Sequence, residues 1–234
     1  MSGWAKKKFW KQAEVIEVDG GFGITLDGRS VKTPAKAALV MPTRAMAEAA
    51  AQEWQAQDQE IDPTTMPVTR SANAAIDKVS IQHTEVADML AEYGNSDLLC
   101  YRAAQPDELI QRQAAAWDPL LDWARTEFGV QLKAVSGVMH VAQDEHALAI
   151  LRDEVHALDL FRLAAFHDLV SLSGSLIIGF AAARQAQPID ALWSASRIDE
   201  TWQEEQWGED EEATELAKTR YNAFLHADFF FRMC

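Results

Sequence analysis

Apolar and polar positions alternate in short runs along residues 9–41. The runs "AEVIEV", "GITL", "SVKT" and "ALVM" are separated by "DGGFG" and by Asp27-Gly28, and the last one ends at Pro42. A period of two is typical of half-buried strands, and Asp-Gly between two such runs is a strong hairpin signal. Gly20, Gly21 and Gly23 are interpreted as turn residues. The pattern predicts a small β-rich N-terminal domain, residues 1–41.

Beyond Pro42 the apolar positions recur at the helical spacing of three and four residues. Thr43 is the predicted N-cap of a first helix, and Pro67 opens a second helical segment that ends near Gly94. Further helices are predicted at 107–128, 144–158, 160–183, 188–206 and 209–230. The sequence therefore predicts an α+β fold, in which the β-rich domain is followed by a larger all-helical domain, residues 42–234.

The most apolar segment of the chain is "LVSLSGSLIIGFAAA", residues 169–183. It is shorter than the roughly 20 residues that a membrane-spanning helix requires. We therefore expect no membrane insertion and interpret the segment as a buried core helix. Its small residues, Ser171, Gly174, Ser175 and Gly179, would let neighbouring helices approach closely.

The formal net charge of −15 limits the classes of partner. Residues 1–36 hold seven Lys and Arg against four Asp and Glu, a net +3, so the remaining residues carry −18. Such a field repels nucleic-acid phosphates and anionic membrane surfaces. A basic protein is the more natural partner, and nucleic-acid binding is not expected.

Cofactor, metal and redox motifs are missing from the sequence. Cys100 and Cys234 form no C-x-x-C pair, which indicates reduced thiols. The N-terminal "MSGWAKKKFWKQ" has no apolar run typical of a secretory signal, so we expect a bacterial-type cytoplasm. No phosphate-binding glycine motif occurs, and the spacing of His140, Glu145 and His146 does not match a helical metal site.

The segment "FHDLVSLSGS" groups a histidine, an aspartate and several serines. His167 and Ser171 are four residues apart, which brings them to one helix face. A nucleophilic serine normally lies on a strained turn beside backbone donors, whereas Ser171 lies within a helical apolar run. We interpret the group as a hydrogen-bonded polar cluster within the core.

Two polar stripes are candidate binding surfaces. One is Arg70, Asn73 and Asp77 in "VTRSANAAIDKV", and the other is Asp97, Tyr101 and Arg102 in "EYGNSDLLCYRA". Polar residues three and four apart share a helix face. Each stripe is either a contact surface or a solvated face with local ion pairs, and neither is a complete active site.

The acidic stretch "DETWQEEQWGEDEEA", residues 199–213, has eight carboxylates around two tryptophans. Gly208 would end one helix, and the acids after it would begin the next, where the helix dipole favours negative charge by about 0.3–1 kcal/mol each. This does not account for Glu204, Glu205 and Trp207. Trp207 is either an aromatic anchor for a partner or a core residue.

The residues of this stretch also carry a resemblance to a known family. With "LDGRSVKTPAKAALVMPT", "EWQAQDQEIDPTTMPVTRSANAAID", "SDLLCYRA", "RQAAAWDPLLDW" and "FHDLVSLSGSLIIG", "WQEEQWGEDEEA" resembles the assembly chaperone of the F-type ATP synthase that protects the isolated alpha subunit. The similarity is collinear over nearly the whole chain. Residues 1–8 and the terminal "HADFFFRMC" lie outside it.

The resemblance implies a non-enzymatic chaperone, without cofactor or metal, that is monomeric when free. Such a protein binds free alpha subunit, shields the surface later covered by the beta subunit, and is displaced as the catalytic head assembles. Bacterial members are expected in the cytoplasm and eukaryotic relatives in the mitochondrial matrix. The candidate contact residues are Glu204, Glu205, Gln206, Trp207, Glu209, Asp210, Arg70, Asn73, Asp77, Asp97, Tyr101 and Arg102.

Two alternatives remain open from the residues alone. One is a small hydrolase or transferase with a polar pocket near Arg70 and Asp77 or near His167 and Asp168. The other is an acidic scaffold with no preference for unassembled alpha subunit. Convergence of the polar groups in a cavity of several hundred cubic ångströms would favour the enzyme.

Overall fold

The structure is a computed structural model that describes residues 7–234. The described chain forms two compact units. Unit 1 comprises residues 7–82, Asp159–Ala164 and Phe229–Cys234, and unit 2 comprises His83–Leu158 and Ala165–Asp228. The predicted domains 1–41 and 42–234 stay a prediction, since compactness does not test which part folds independently. Residues 1–6 of the predicted first domain lie outside the described residues.

The sheet of unit 1 follows the alternating pattern of the sequence. β1 (Ala13–Val18) pairs antiparallel with β2 (Gly21–Leu26), and β2 also pairs with β3 (Arg29–Ser30) and β4 (Val40–Met41). Asp27 and Gly28 have φ angles of 47° and 79°, as the predicted Asp-Gly hairpin requires.

The three glycines predicted as turn residues have different positions. Gly20 lies in the turn before β2, whereas Gly21 and Gly23 belong to β2 itself. A Cβ atom at Gly21 would lie 2.3 Å from the carbonyl oxygen of Met41, and its φ angle is 151°. The glycine is therefore needed for strand pairing as well as for the turn.

The first helix of unit 1 begins where the sequence predicts. α1 (Arg44–Gln55) is capped by Thr43, whose hydroxyl accepts from the Met46 N–H at 3.3 Å. Its alanine-rich face lies against β1 and β2, and Met46, Ala47 and Ala50 are fully buried. Small side chains on this face allow helix and sheet to pack closely.

The segment from Pro67 to Gly94 is not one continuous helix. α2 (Pro67–Ala74) continues as a π-helical turn over Ala75–Val79, and α3 (His83–Ala91) starts after a break. The Ser80 N–H donates five residues back, to Ala75 at 3.0 Å, and its hydroxyl donates to the Ile76 carbonyl oxygen. A serine that bonds back to the helix competes with its regular hydrogen bonds, and an apolar pattern does not reveal this.

Two other predicted helices of the C-terminal half are also interrupted. Residues 160–183 form α6 and α7, which are separated at Gly174 (φ 72°) because Ser175 caps α7 by accepting from the Ile178 N–H at 3.0 Å. Residues 188–206 form α8 and α9. The helices after α3 are α4 (Asp107–Phe128), α5 (Glu145–His156), α6 (Leu160–Ser173), α7 (Leu176–Ala183), α8 (Ile189–Ser196), α9 (Ile198–Trp207) and α10 (Glu211–Arg232).

α7 occupies the core of unit 2, as predicted for its sequence. Its residues Leu176–Ala182 are all buried. Gly179 lies so close to α6 that an added Cβ would be 2.6 Å from the Val170 Cγ2 atom. In the part of the chain that the structure describes, no helix combines the length and hydropathy of a membrane span.

The chain therefore has the predicted fold class, a small sheet region followed by a mostly helical part. Two short strands in unit 2, β5 (Tyr101–Arg102) and β6 (Val135–Ser136), pair in parallel and were not predicted. At two residues each, they are too short to produce a visible alternation.

Candidate functional site

Unit 2 has an open surface groove of about 750 Å³. We call it the α4–α9 groove, because the start of α4 and one face of α9 form two of its sides. The other sides are the segment from Leu98 to Pro106 and the loop after β6. Its lining residues are Leu98, Tyr101, Arg102, Ala103, Ala104, Gln105, Pro106, Leu109, Gln113, Gly137, Val138, Asp199, Trp202, Gln203, Gln206 and Trp207.

A buried glutamine holds three sides of the groove together. Gln113 on α4 accepts from the Ala103 N–H at 2.8 Å and donates to Asp199 Oδ1 on α9 at 2.6 Å. The carbonyl and the NH2 group of its side-chain amide each have a partner, and the two bonds link the segment before α4, α4 and α9. Asp199 Oδ2 forms no hydrogen bond with any described residue.

An arginine joins the α4 and α9 walls further along. Arg112 donates to both carboxylate oxygens of Glu205 at 2.9 Å, and its guanidinium lies 5.1 Å from the ring centre of Trp202. The hydrogen bond to Arg112 lowers the pKa of Glu205, and the same bond raises the pKa of Arg112. Glu205 is thus a fixed carboxylate rather than a free one.

The arginine of the groove lining is also neutralised by a carboxylate. Arg102 lies 2.8 Å from Asp118, its Nε donates to the Leu99 carbonyl at 2.8 Å, and it lies 5.2 Å from the ring centre of Trp117. The Tyr101 hydroxyl is 3.0 Å from His140 Nδ1. Tyr101 and Arg102 therefore hold the groove wall in place while their surfaces line it.

Trp207 lies at the mouth of the groove and is 80% exposed. The alternative that Trp207 is a core residue is therefore wrong. Trp193 shows the contrast, because its ring lies 5.8 Å from Tyr221 and 5.5 Å from Phe224, inside the unit. The acidic stretch thus follows a packed tryptophan, Trp193, and contains an exposed one, Trp207.

Of the other predicted contact residues in the acidic stretch 199–213, Gln206 lines the groove and the rest do not. Glu204 is half-buried on α9. Glu209 is exposed beyond Gly208, and Asp210 caps α10 by accepting from the Ala213 N–H at 2.8 Å. The structure therefore brings Tyr101, Arg102, Gln206 and Trp207 together, from two separate predicted stretches.

Asp97 has a different position from Tyr101 and Arg102. It is fully buried and accepts from the Leu99 and Ile177 N–H groups, both at 3.0 Å, and from the Ser175 hydroxyl at 2.7 Å. Burial raises its pKa to about 6. Asp97 holds the turn behind the groove to the start of α7 and presents no surface to a partner.

The stripe of unit 1 is only partly a surface. Arg70 is exposed, while Asn73 and Asp77 are half-buried. Asp77 Oδ2 accepts from the Ala35 N–H at 3.0 Å, which fixes the loop between β3 and β4. Asn73 Oδ1 and Asp77 Oδ1 are buried without a hydrogen-bond partner among the described residues. A contact role for this stripe stays a prediction.

The predicted polar cluster of the core has other members than expected. His167 and Asp168 pair with each other at 2.9 Å but are 43% and 45% exposed. The buried members are Ser173, which donates to the Leu169 carbonyl at 2.6 Å, and Ser175 with Asp97. The interpretation of His167 as part of a core cluster is therefore wrong.

The residues named for the enzyme alternative do not meet in any of four surface cavities of the described residues. Arg70, Asp77, His167 and Asp168 line neither the α4–α9 groove nor three other surface cavities of about 580, 990 and 380 Å³. Among residues 7–234, no three His, Cys, Asp or Glu side chains are grouped as metal ligands would be.

Sequence reasoning missed Val138 and Gln113, which line the groove, and the adjacent residues Met139 and Arg112. Val138 and Met139 are 92% and 79% exposed in the loop after β6, although both are apolar. Two apolar residues in a segment with no helical or strand period, "SGVMHVAQ", were the available signal. Gln113 and Arg112 were missed because their partners are 86 and 93 residues away in the sequence.

Comparisons with known proteins agree with this architecture. The crystal structure of Atp12 from Paracoccus denitrificans is 47% identical, with a TM-score of 0.95 over 97% of both chains. A single-substitution mutant of the same protein matches with a TM-score of 0.96, at 46% identity over 99% of both chains. "Protein atp12, mitochondrial" from Schizosaccharomyces pombe is 23% identical over 90% of this chain and 76% of its own length.

The family comparison covers the first half of the chain, including the start of the groove. The family model "ATP12 chaperone protein" matches residues 7–125, just over half of the sequence. Its relatives include a mitochondrial protein and a bacterial one. The chain therefore belongs to the ATP12 chaperone family, the assembly chaperones of the F-type ATP synthase.

Proposed function

We propose that this protein binds the free alpha subunit of the F-type ATP synthase through the α4–α9 groove. It keeps that subunit from wrong associations until the beta subunit takes its place in the catalytic head. The protein acts without catalysis, cofactor or metal, as a monomer in the cytoplasm of a bacterium. This goes beyond assembly of the ATP synthase, which is the role of the family.

The observation that carries the proposal is the exposed indole of Trp207 at the mouth of the groove. An exposed tryptophan contributes little to folding, and tryptophan is among the side chains most enriched at interface hot spots. The groove is open and shallow rather than enclosed, which suits a protein surface better than a small substrate. Gln113 and Arg112 fix the groove walls, so little ordering is required on binding.

The acidic surroundings support a basic partner surface. The acids beside Trp207 and Gly208 are accessible, and the net charge of the whole protein is −15. We propose that these carboxylates form ion pairs with basic groups of the alpha subunit, and that the same basic groups face the beta subunit after assembly. Electrostatic complementarity of this kind mainly accelerates association and excludes wrong partners.

A binding and competition experiment tests the proposal. Purified alpha subunit is titrated onto the immobilised chaperone, and beta subunit is then added to the complex. We expect saturable binding of alpha, none of folded beta alone, and release of the chaperone when beta is added. Failure to bind alpha subunit would reject the proposal, and a stable ternary complex would reject the shielding of the beta-facing surface.

A further inference from the structure

The loop from Lys133 to Gln143 is closed at its base by one buried side chain. The Gln143 amide accepts from the Lys133 N–H at 2.7 Å and donates to the Lys133 carbonyl at 3.0 Å. These two bonds join the ends of an eleven-residue loop, as in compact Ω-loops. The base of the loop is therefore fixed independently of its tip.

The middle of the loop is fixed to the groove wall. β6 within the loop pairs with β5, and the Gly137 N–H donates to the Arg102 carbonyl at 2.8 Å. On the other side of the tip, His140 meets the Tyr101 hydroxyl. The tip, Val138 and Met139, is thus held from both sides while its side chains remain in solvent.

An anchored loop that exposes two apolar side chains gains nothing in folding stability from them. Val138 is the most exposed large apolar residue of the described chain, and Trp207 is the next. Both line the same groove, on the loop wall and on the α9 wall. We call these two side chains, which lie on two walls of one groove, the jaws.

The charge of the α4–α9 groove indicates which kind of partner residue would lie beside an apolar side chain bound there. Arg102 is the one basic residue among the described residues of the lining, and it is paired with Asp118. Asp199 faces the groove with one oxygen unbonded, and Asp107 and Glu108 lie between the lining residues Pro106 and Leu109 without an ion pair among the described residues. The uncompensated charge of the groove is negative.

We infer that Val138 and Trp207 form an apolar clamp for an extended segment of unassembled alpha subunit, with Met139 exposed beside Val138 at the loop tip. The segment carries an apolar side chain, which the clamp holds, next to a lysine or arginine, which faces the groove carboxylates. This inference rests on the proposed function and names the chemistry of the segment that the groove binds.

The test uses matched variants of exposed apolar residues in the full chain. Val138→Ser and Trp207→Ser remove the two jaws, and Leu216→Ser is the control, because Leu216 is 59% exposed on α10 and does not line the groove. Each protein is titrated with full-length alpha subunit and with overlapping 15-residue peptides that cover its sequence. Melting temperatures show whether each variant is folded.

We expect each jaw variant to weaken alpha-subunit binding by at least fivefold, as hot-spot residues do, with an unchanged melting temperature. Leu216→Ser should bind as the parent protein does. The peptides that bind should carry an apolar residue beside Lys or Arg, and replacing that basic residue by glutamate should abolish their binding. Gln143→Ala should also weaken binding, because it frees the base of the loop.

Three outcomes would count against the inference, and each rejects a different part of it. Unchanged affinity of both jaw variants for a subunit that the parent protein binds would reject the clamp and leave the proposed function intact. If peptides without Lys or Arg bind, the predicted contact between a basic residue and the groove carboxylates is rejected. If the parent protein does not bind alpha subunit at all, the proposed function fails, and the clamp with it.

Discussion

The interior around Asp97 and the α4–α9 groove use polar and apolar residues in opposite ways. In the interior a carboxylate is buried and receives three hydrogen bonds, whereas in the groove Val138 and Trp207 are left in solvent. Asp97 and Arg102 are five residues apart in sequence. The interior contacts contribute to stability, whereas we propose that the exposed apolar side chains of the groove contact a partner.

The largest expected effect is the loss of the Asp97 carboxylate. Asp97→Ala leaves the Leu99 and Ile177 N–H groups and the Ser175 hydroxyl buried without an acceptor. Since each unsatisfied buried group costs about 1–3 kcal/mol, we expect the free energy of unfolding to fall by about 3–5 kcal/mol. Urea unfolding followed by tryptophan fluorescence measures this loss.

Trp207→Ala is the matched substitution in the α4–α9 groove. It should leave the unfolding free energy within about 0.5 kcal/mol of the parent value, as surface substitutions do. A destabilisation as large as that of Asp97→Ala would show that the indole packs against the protein. The contrast between interior and groove would then be lost.

The pH dependence of stability sharpens the same contrast. Burial raises the pKa of Asp97 from its ordinary value of 3.8 to about 6. The folded state therefore binds the carboxyl proton of Asp97 more tightly than the unfolded state does. The stabilisation that results from this proton is complete below pH 3.8 and is lost as the pH rises through 6. A pKa gap of about two units corresponds to about 3 kcal/mol.

Asp97→Asn isolates that contribution, because asparagine does not titrate. The stability of the parent protein relative to this variant should fall by about 3 kcal/mol between pH 3 and pH 7. Unfolding free energies of both proteins at four or five pH values provide the measurement. A constant difference across this range would mean that Asp97 titrates near its ordinary pKa in the folded state.

A smaller effect is expected where the helices of unit 2 pack most closely. Gly179→Ala would place a Cβ atom 2.6 Å from the Val170 Cγ2 atom and 3.3 Å from the Phe166 ring. Overpacking of this kind costs about 1–3 kcal/mol. Gly94→Ala is the control, since its Cβ would lie 3.2 Å from the ends of two flexible leucines. Equal stability of the two variants in thermal unfolding would contradict the close packing.

Much of the fold is visible in the sequence because local chemistry decides it. The Asp27-Gly28 hairpin and α4 appear where turn residues and periodicity place them, and α4 ends at Gly129 with a φ angle of 70°. The break between α6 and α7 was missed, although Gly174 and Ser175 are ordinary stop and start signals. The apolar pattern continues through the break, because both helices are buried on nearly all sides.

The site is less predictable because pairing across the chain determines it. The sequence identifies Trp207 and the acids around it, but not that Arg112 neutralises Glu205 while Glu209 has no ion pair in the part of the chain that the structure describes. Val138 and Met139 were missed because apolar residues are ordinarily assigned to the interior. The burial of Asp97 could not be predicted either, because it depends on the hydrogen-bond donors at the start of α7, the Ser175 hydroxyl and the Ile177 N–H.

The smallest expected effect distinguishes the two acids of the groove rim. Glu209 is exposed and has no ion pair with residues 7–234, so Glu209→Lys should slow association with the alpha subunit a few-fold, weaken its salt dependence and leave dissociation unchanged. Glu205→Lys should slow association more, because it also releases Arg112 from its carboxylate and adds a second positive charge beside Trp202.

Association rates measured at low and moderate salt compare these two variants. Arg112→Gln combined with Glu205→Gln is the control, since it removes the pair without changing the net charge. This double variant should associate at nearly the parent rate if the effect of Glu205→Lys is electrostatic. Parent-like association of both lysine variants at every salt concentration would exclude the acidic rim from the contact, and the groove would then bind its partner through apolar side chains alone.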